Sequence, residues 1–255
     1  MIYIIPIFIC VIFILSIMFF IWANRTYKPT ILATISMLSD NLVTITKDKF
    51  IVFTPNNTTP SNGFIFYPGA KIKPEAYAPL CRKICMEGFL VVIAPMTLNL
   101  AIFSPNKAKD IINRFDNINT WAIGGHSLGG AMASNYALKD SKINSVVFYA
   151  SYPAKNKFKD YNKDVLSIYG DLDGVAKLEN IKGPNLPKNS TFIEIKGGNH
   201  AQFGSYGEQS GDNKATISDE KQINLASKCT INFLNNINNP IEMQYKLSWF
   251  FLLKS

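Results

Sequence analysis

The apolar positions of this chain fall into two regimes. From Ile2 to Ala23 the sequence reads IYIIPIFICVIFILSIMFFIWA without a charged side chain. About 22 residues rising about 1.5 Å each can cross a hydrocarbon core of roughly 30 Å, so the pattern predicts a membrane-spanning helix. No Lys or Arg precedes the run, and bulky Ile21 sits just before the best cleavage position, after Ala23. An uncleaved anchor therefore fits better than a removed secretory signal. Trp22 is expected at the membrane interface. Arg25 and Lys28 follow the helix and no basic residue precedes it, which favours an inward-facing C-terminal domain. That margin leaves the side of the membrane open.

Beyond the anchor, short apolar runs alternate with helix-period patterns, which argues for an α/β domain with a mostly parallel sheet. Runs at 42–46 and 50–53 flank a polar turn and predict a hairpin, and the Pro/Asn/Thr-rich stretch 55–62 predicts a loop. Strands are expected at 64–67, 89–94, 120–124, 145–150, 165–169 and 191–196. Pro74 opens a helix that Gly88 stops, and further helices fit 106–117, 128–139 and 218–236. The chain divides into an anchor at 1–24, a linker at 25–40, a single domain at 41–240 and a tail at 241–255 whose apolar stretch has no assigned place.

The 255 residues are 47% hydrophobic, enough to bury a core, and this excludes disorder as the main state. A formal net charge of +8 would suit an anionic partner, but the lysines are scattered, without an Arg-rich or aromatic-interleaved stripe. The excess charge therefore reads as solvation with some attraction to acidic lipid head groups, and no nucleic-acid partner is expected. The 4 cysteines form no CxxC pair, so neither a disulfide framework nor a metal site is expected, and nothing calls for a cofactor. Tyr77, Cys81 and Cys85 share one helix face and read as core residues.

The chemistry concentrates in TWAIGGHSLGG, which ends at Gly130. It holds a G-x-S-x-G from Gly125 to Gly129 between an expected strand and an expected helix. A nucleophile elbow needs that context: the chain turns sharply from strand to helix, glycines let the backbones pass, and the serine stands above the sheet edge. Ser127 is the candidate nucleophile. A serine hydroxyl needs a base, and the chain holds only His126 and His200. His126 adjoins the serine and should point away from it into packing, as a structural histidine. His200 lies in a Gly-rich loop after the last expected strand and is the candidate general base. The strand 165–169 runs into GDLDG, offering Asp171 and Asp173 in the order Ser, Asp, His. Asp173 is preferred because the loop can curl back toward His200, and Asp171 is the alternative. An oxyanion needs backbone donors. The amide of Leu128 is one, and that of Ala70 in YPGAK is the other, with Lys71 next.

The segments YPGAKIKPEAYAPL, GGHSLGG, YGDLDG and GGNHAQFGSYGEQSGD resemble the α/β-hydrolase superfamily, specifically its compact bacterial family 5 type, over about residues 62–236. The resemblance implies an eight-stranded, mostly parallel sheet with helices on both faces and a Ser-His-Asp triad at Ser127, His200 and Asp173. It supplies a reaction class rather than a substrate.

Many such folds carry a cap between the strands at 145–150 and 165–169, but the connecting segment 151–164 is too short for one. Selectivity is then expected to fall to loops at 96–101 and 202–206, with Lys71, Met96, Gln202, Phe203 and Tyr206 as candidate substrate contacts. The reading is a membrane-anchored serine hydrolase acting on a small acyl substrate, most simply a carboxylic ester. Amide or thioester hydrolysis and acyl transfer use the same apparatus, and a non-catalytic binding protein on this fold would be expected to carry a broken triad.

Overall fold

The computed structural model describes residues 4–236, so the tail expected at 241–255 lies outside the described residues. Eight strands form one sheet: β1 (Val43–Lys47), β2 (Ile51–Pro55), β3 (Asn62–Tyr67), β4 (Leu90–Ile93), β5 (Thr120–His126), β6 (Ile143–Tyr149), β7 (Asp164–Gly170) and β8 (Thr191–Ile195). Their order is β1-β2-β4-β3-β5-β6-β7-β8. The β1–β2 hairpin joins antiparallel at one edge, and every other pairing is parallel. After β3 the chain steps to β4 on one side and then to β5 on the other. That reversal opens a crevice at the carboxyl ends of β3 and β5, where open α/β sheets place their sites.

Strand alternation builds two cores. Phe64 and Phe66 of β3 face one helical layer, made by α3 (Ala78–Met86) and α7 (Asp219–Asn235), while Ile65 and Tyr67 face the other, made by α4 (Lys107–Arg114) and α5 (Leu128–Ala137). Phe66 meets Tyr77 at 4.6 Å and Tyr149 at 5.6 Å in tilted ring contacts, which gather an aromatic cluster against β3. The Ser218 hydroxyl caps α7 by accepting the Lys221 amide at 3.2 Å, and Asp219 and Glu220 follow in its first turn. Cys81 and Cys85 are buried as expected, and burial pushes the Cys85 thiol up to about 12.

Three expectations shift in detail. The helix expected from Pro74 begins as a 3₁₀ turn (Pro74–Tyr77) before α3, and α4 stops at Arg114 rather than 117. The segment 151–164, expected to be too short for a cap, holds a 3₁₀ turn (Asn156–Asp160) whose Phe158 packs edge-on to Phe148 at 5.6 Å. Residues expected as a linker at 25–40 pack onto the domain instead. Tyr27 pairs with Ile72, the short α2 (Ile31–Ile35) starts at a Thr30 cap bonded to Ser205, and Arg82 pairs with Asp40 while donating to the Leu38 carbonyl at 2.7 Å. These contacts join residues far apart in sequence, which local patterning does not register. The short α6 (Leu178–Ile181) follows β7. Helix α1 (Ile4–Asn24) is apolar and long enough to cross a membrane, and of its final 18 residues only Ala23 is buried.

Candidate active site

Strand β5 ends at His126, and α5 begins at Leu128, so the whole reversal falls on Ser127 at φ 51° and ψ −124°. A non-glycine residue held in this region stores local strain. Surrounding contacts fix it there: its amide donates to the Tyr149 carbonyl at 3.0 Å, and its carbonyl accepts from Ser151 Oγ at 2.6 Å. Two glycines make the reversal possible. A Cβ on Gly125 would lie 2.6 Å from the Gly129 backbone, and one on Gly129 would lie 2.1 Å from the Tyr67 carbonyl oxygen. The second distance also shows the loop after β3 crossing the first turn of α5, which brings the Ala70 and Leu128 regions together.

His200 and Asp173 meet beside the elbow, the His200 ring lying 4.5 Å from that of His126. His200 Nδ1 donates to Asp173 Oδ2 at 2.9 Å, with side-chain exposures of 1% and 0%. The other carboxylate oxygen of Asp173 accepts the amides of Val175 (2.8 Å) and Ala176 (2.7 Å), which fixes its rotamer. With Nδ1 donating, the tautomer leaves Nε2 with its lone pair, and Nε2 is buried without a hydrogen-bond partner among the described residues. The loop around His200 is held from both sides, by Gln222 bonded to both backbone groups of Asn199 and by Asp212 accepting the Ala201 amide. Asp171 points elsewhere: it accepts the Gly197 amide at 2.7 Å and lies 3.7 Å from Lys196, joining the end of β7 to the turn after β8.

His126 is fully buried and has a partner at each nitrogen. Tyr77 Oη accepts the Gly69 amide at 3.0 Å and so donates to His126 Nδ1 at 2.8 Å, which leaves His126 Nε2 to donate to the His200 carbonyl at 3.0 Å. This relay runs from the loop after β3 to the backbone of His200. Desolvation first, and then the neighbouring His200 ring, hold His126 well below the usual histidine range and keep it neutral. In the loop after β3, the Gly69 amide is taken by Tyr77 and the Lys71 amide by the Asn99 carbonyl at 2.8 Å, leaving Ala70 between two committed neighbours.

A model of the alpha/beta hydrolase family matches residues 63–224, more than half of the chain and the whole stretch from β3 into α7. The chain belongs to that family. Among solved structures, the esterase domain of a Rhodothermus marinus protein shares 12% identity at a TM-score of 0.58, covering 74% of this chain and 92% of that one. Est1E from Butyrivibrio proteoclasticus shares 14% identity at a TM-score of 0.56, covering 76% of this chain and 98% of that one. At these identities the likeness is one of fold. No curated protein sequence matches.

In this hydrolase a cavity of about 280 Å³ opens above Ser127, lined by Leu128, Ala131, Ala150, Ser151, Tyr152, Ala154, Val175 and Ala176. The residues expected as substrate contacts do not line it. Phe203 is buried against His126 and Tyr149, Tyr206 packs on Tyr27, and Met96 joins the core beside α4. Lys71 places Nζ 4.3 Å over the Trp22 ring, and Gln202 lines a separate cavity of about 420 Å³. Apolar and aromatic side chains in the expected loops satisfied the core first, so the wall fell to small residues after β6 and to the loop past Asp173. The usable signal was positional: both wall segments follow the carboxyl ends of β6 and β7, the next two strands beyond β5 in the sheet.

Proposed function

We propose that this hydrolase cleaves a carboxylic ester through an acyl-enzyme. Ser127 Oγ attacks the acyl carbonyl while His200 Nε2 takes its proton. Asp173 holds the imidazole tautomer and stabilises the imidazolium, and the amides of Ala70 and Leu128 receive the oxyanion. His200 then gives the proton to the leaving alkoxide, and the reverse sequence with water releases the acid. The observation that carries this reading is the buried His200–Asp173 pair at 2.9 Å whose Nε2 is left unpartnered, with the His200 ring 4.5 Å from that of His126, the residue before the strained serine. Catalytic hydrogen bonds to the nucleophile commonly tighten only in the substrate complex.

The wall supports a short acyl group. Its alanines, with Tyr152 and Val175 partly open to solvent at 37% and 41%, give a shallow apolar recess in which added methylenes gain nothing once they leave it. Without a cap, water reaches the acyl-enzyme, which favours hydrolysis over transfer. Helix α1 is read as an uncleaved membrane anchor, supported by its length and exposed apolar surface. A series of p-nitrophenyl esters tests the reading. The highest kcat/KM is expected for short acyl groups, with activity lost in Ser127→Ala; full activity in that variant would remove the proposal.

A further inference from the structure

Helix α1 is fastened to the active-site side of the domain. The Ala23 carbonyl accepts from Asn99 Nδ2 at 3.3 Å, and the Asn99 carbonyl in turn accepts the amide of Lys71, the residue after Ala70. One turn earlier, Phe19 meets Phe103 edge-on at 6.0 Å. Phe103 closes the 3₁₀ turn Ala101–Phe103, in the loop after β4 at the carboxyl edge of the sheet, and that turn packs beside α5. Ile102 and Phe103 are large and apolar, yet each is 48% exposed.

We propose that the turn Ala101–Phe103 inserts into the bilayer beside α1, a second membrane contact that seats the carboxyl edge of the sheet, with Ser127, on the membrane surface. The proposal rests on reading α1 as a membrane anchor. Its occupant is the outer part of the hydrocarbon layer, and helix geometry sets the depth. A tryptophan at the end of a span sits at head-group level, and Phe19 lies three residues, about 4.5 Å, deeper than Trp22. A side chain packed on Phe19 therefore reaches the upper acyl chains, where its apolar surface is at home and a water-exposed position would not be. Arg25 and Lys28, both exposed, follow α1 directly and Lys71 lies over Trp22, which puts basic side chains at the depth of anionic head groups. The cavity above Ser127 then opens at the head-group layer, where amphiphilic esters concentrate.

The test uses the full chain with Cys10→Ser, leaving only the buried Cys81, Cys85 and Cys229, in phosphatidylcholine bilayers with a minor share of phosphatidylglycerol. A polarity-sensitive fluorophore is attached to Phe103→Cys, to Ile102→Cys as a second probe of the turn, to Met18→Cys on α1, and to Asn57→Cys in the loop at the opposite edge of the sheet. Lipids brominated near the top of the acyl chains serve as quencher. Quenching at 103 and 102 close to that at 18, and several-fold above that at 57, is the expected result. Quenching at 18 with 103 and 102 no different from 57 would overturn the second contact while leaving the anchor. Quenching at none of the four would overturn the anchor reading along with it.

Discussion

Two histidines lie ring against ring in this hydrolase, centroids 4.5 Å apart, and neither is exposed. On the elbow, His126 spends both nitrogens, one accepting from Tyr77 and the other donating to the His200 backbone. On the loop after β8, His200 spends only Nδ1, on Asp173. Residue type and burial are the same, so hydrogen-bond saturation separates them: a ring with both nitrogens bonded has no site left for a proton from the serine, and a ring with a lone pair left over has one, which is why the proposed base is His200. The comparison breaks most directly in turnover. His200→Ala is expected to lower kcat on a short-chain p-nitrophenyl ester by at least about 10⁴-fold, whereas His126→Gln should cost about tenfold through misplacement of the loops it joins. Equal losses would end the distinction.

The two aspartates sharpen it from the acid side. Asp173→Asn removes the carboxylate that fixes the His200 tautomer and should cost about 10³- to 10⁴-fold in kcat with little change in KM. Asp171→Asn replaces the charged acceptor of the Gly197 amide with a neutral one and ends the pairing with Lys196, and should instead cost about 1 kcal/mol of stability, read as a shift in the denaturant midpoint. Reversed activities would move the acid to Asp171.

Smaller effects probe the relay itself. Tyr77→Phe leaves the Gly69 amide and His126 Nδ1 without their common partner. A loss of about 2–4 kcal/mol in stability and about tenfold in kcat is expected, the latter because the Ala70 donor lies next to Gly69. The smallest effect is in pH. The unfolded chain protonates His126 as pH falls through about 6.5, and the folded chain resists. The unfolded state then binds more protons, so stability is constant above that value and falls below it by at most about 1.4 kcal/mol per pH unit for this group. Denaturant midpoints measured against pH for the parent and His126→Gln should differ in that slope, the variant being flatter.

Much of this arrangement was legible in the sequence. Apolar runs marked the parallel strands because a sheet covered on both faces admits little polarity, and GGHSLGG located the turn because close backbone passage demands glycine at Gly125 and Gly129. With only two histidines in the chain, adjacency to Ser127 was enough to set their expected roles apart. What escaped depended on tertiary placement. Nothing local says that Tyr77 would reach His126 from another element, that Val175 and Ala176 would wall the cavity, or that residues 25–40 would dock through Tyr27 and Thr30. The expected substrate contacts went astray because a loop aromatic such as Phe203 gains more by burial against His126 and Tyr149 than by lining an open recess.

The central claim is that Ser127 is a nucleophile activated by His200, and covalent labelling tests it most directly. Full-length folded protein treated with a fluorophosphonate should carry one adduct, located on Ser127 by peptide mass spectrometry. Ser127→Ala should take no label, His200→Ala should label far more slowly, and His126→Gln should label at nearly the parent rate. Absence of label on the folded parent protein, or an adduct that persists in Ser127→Ala, would contradict the account.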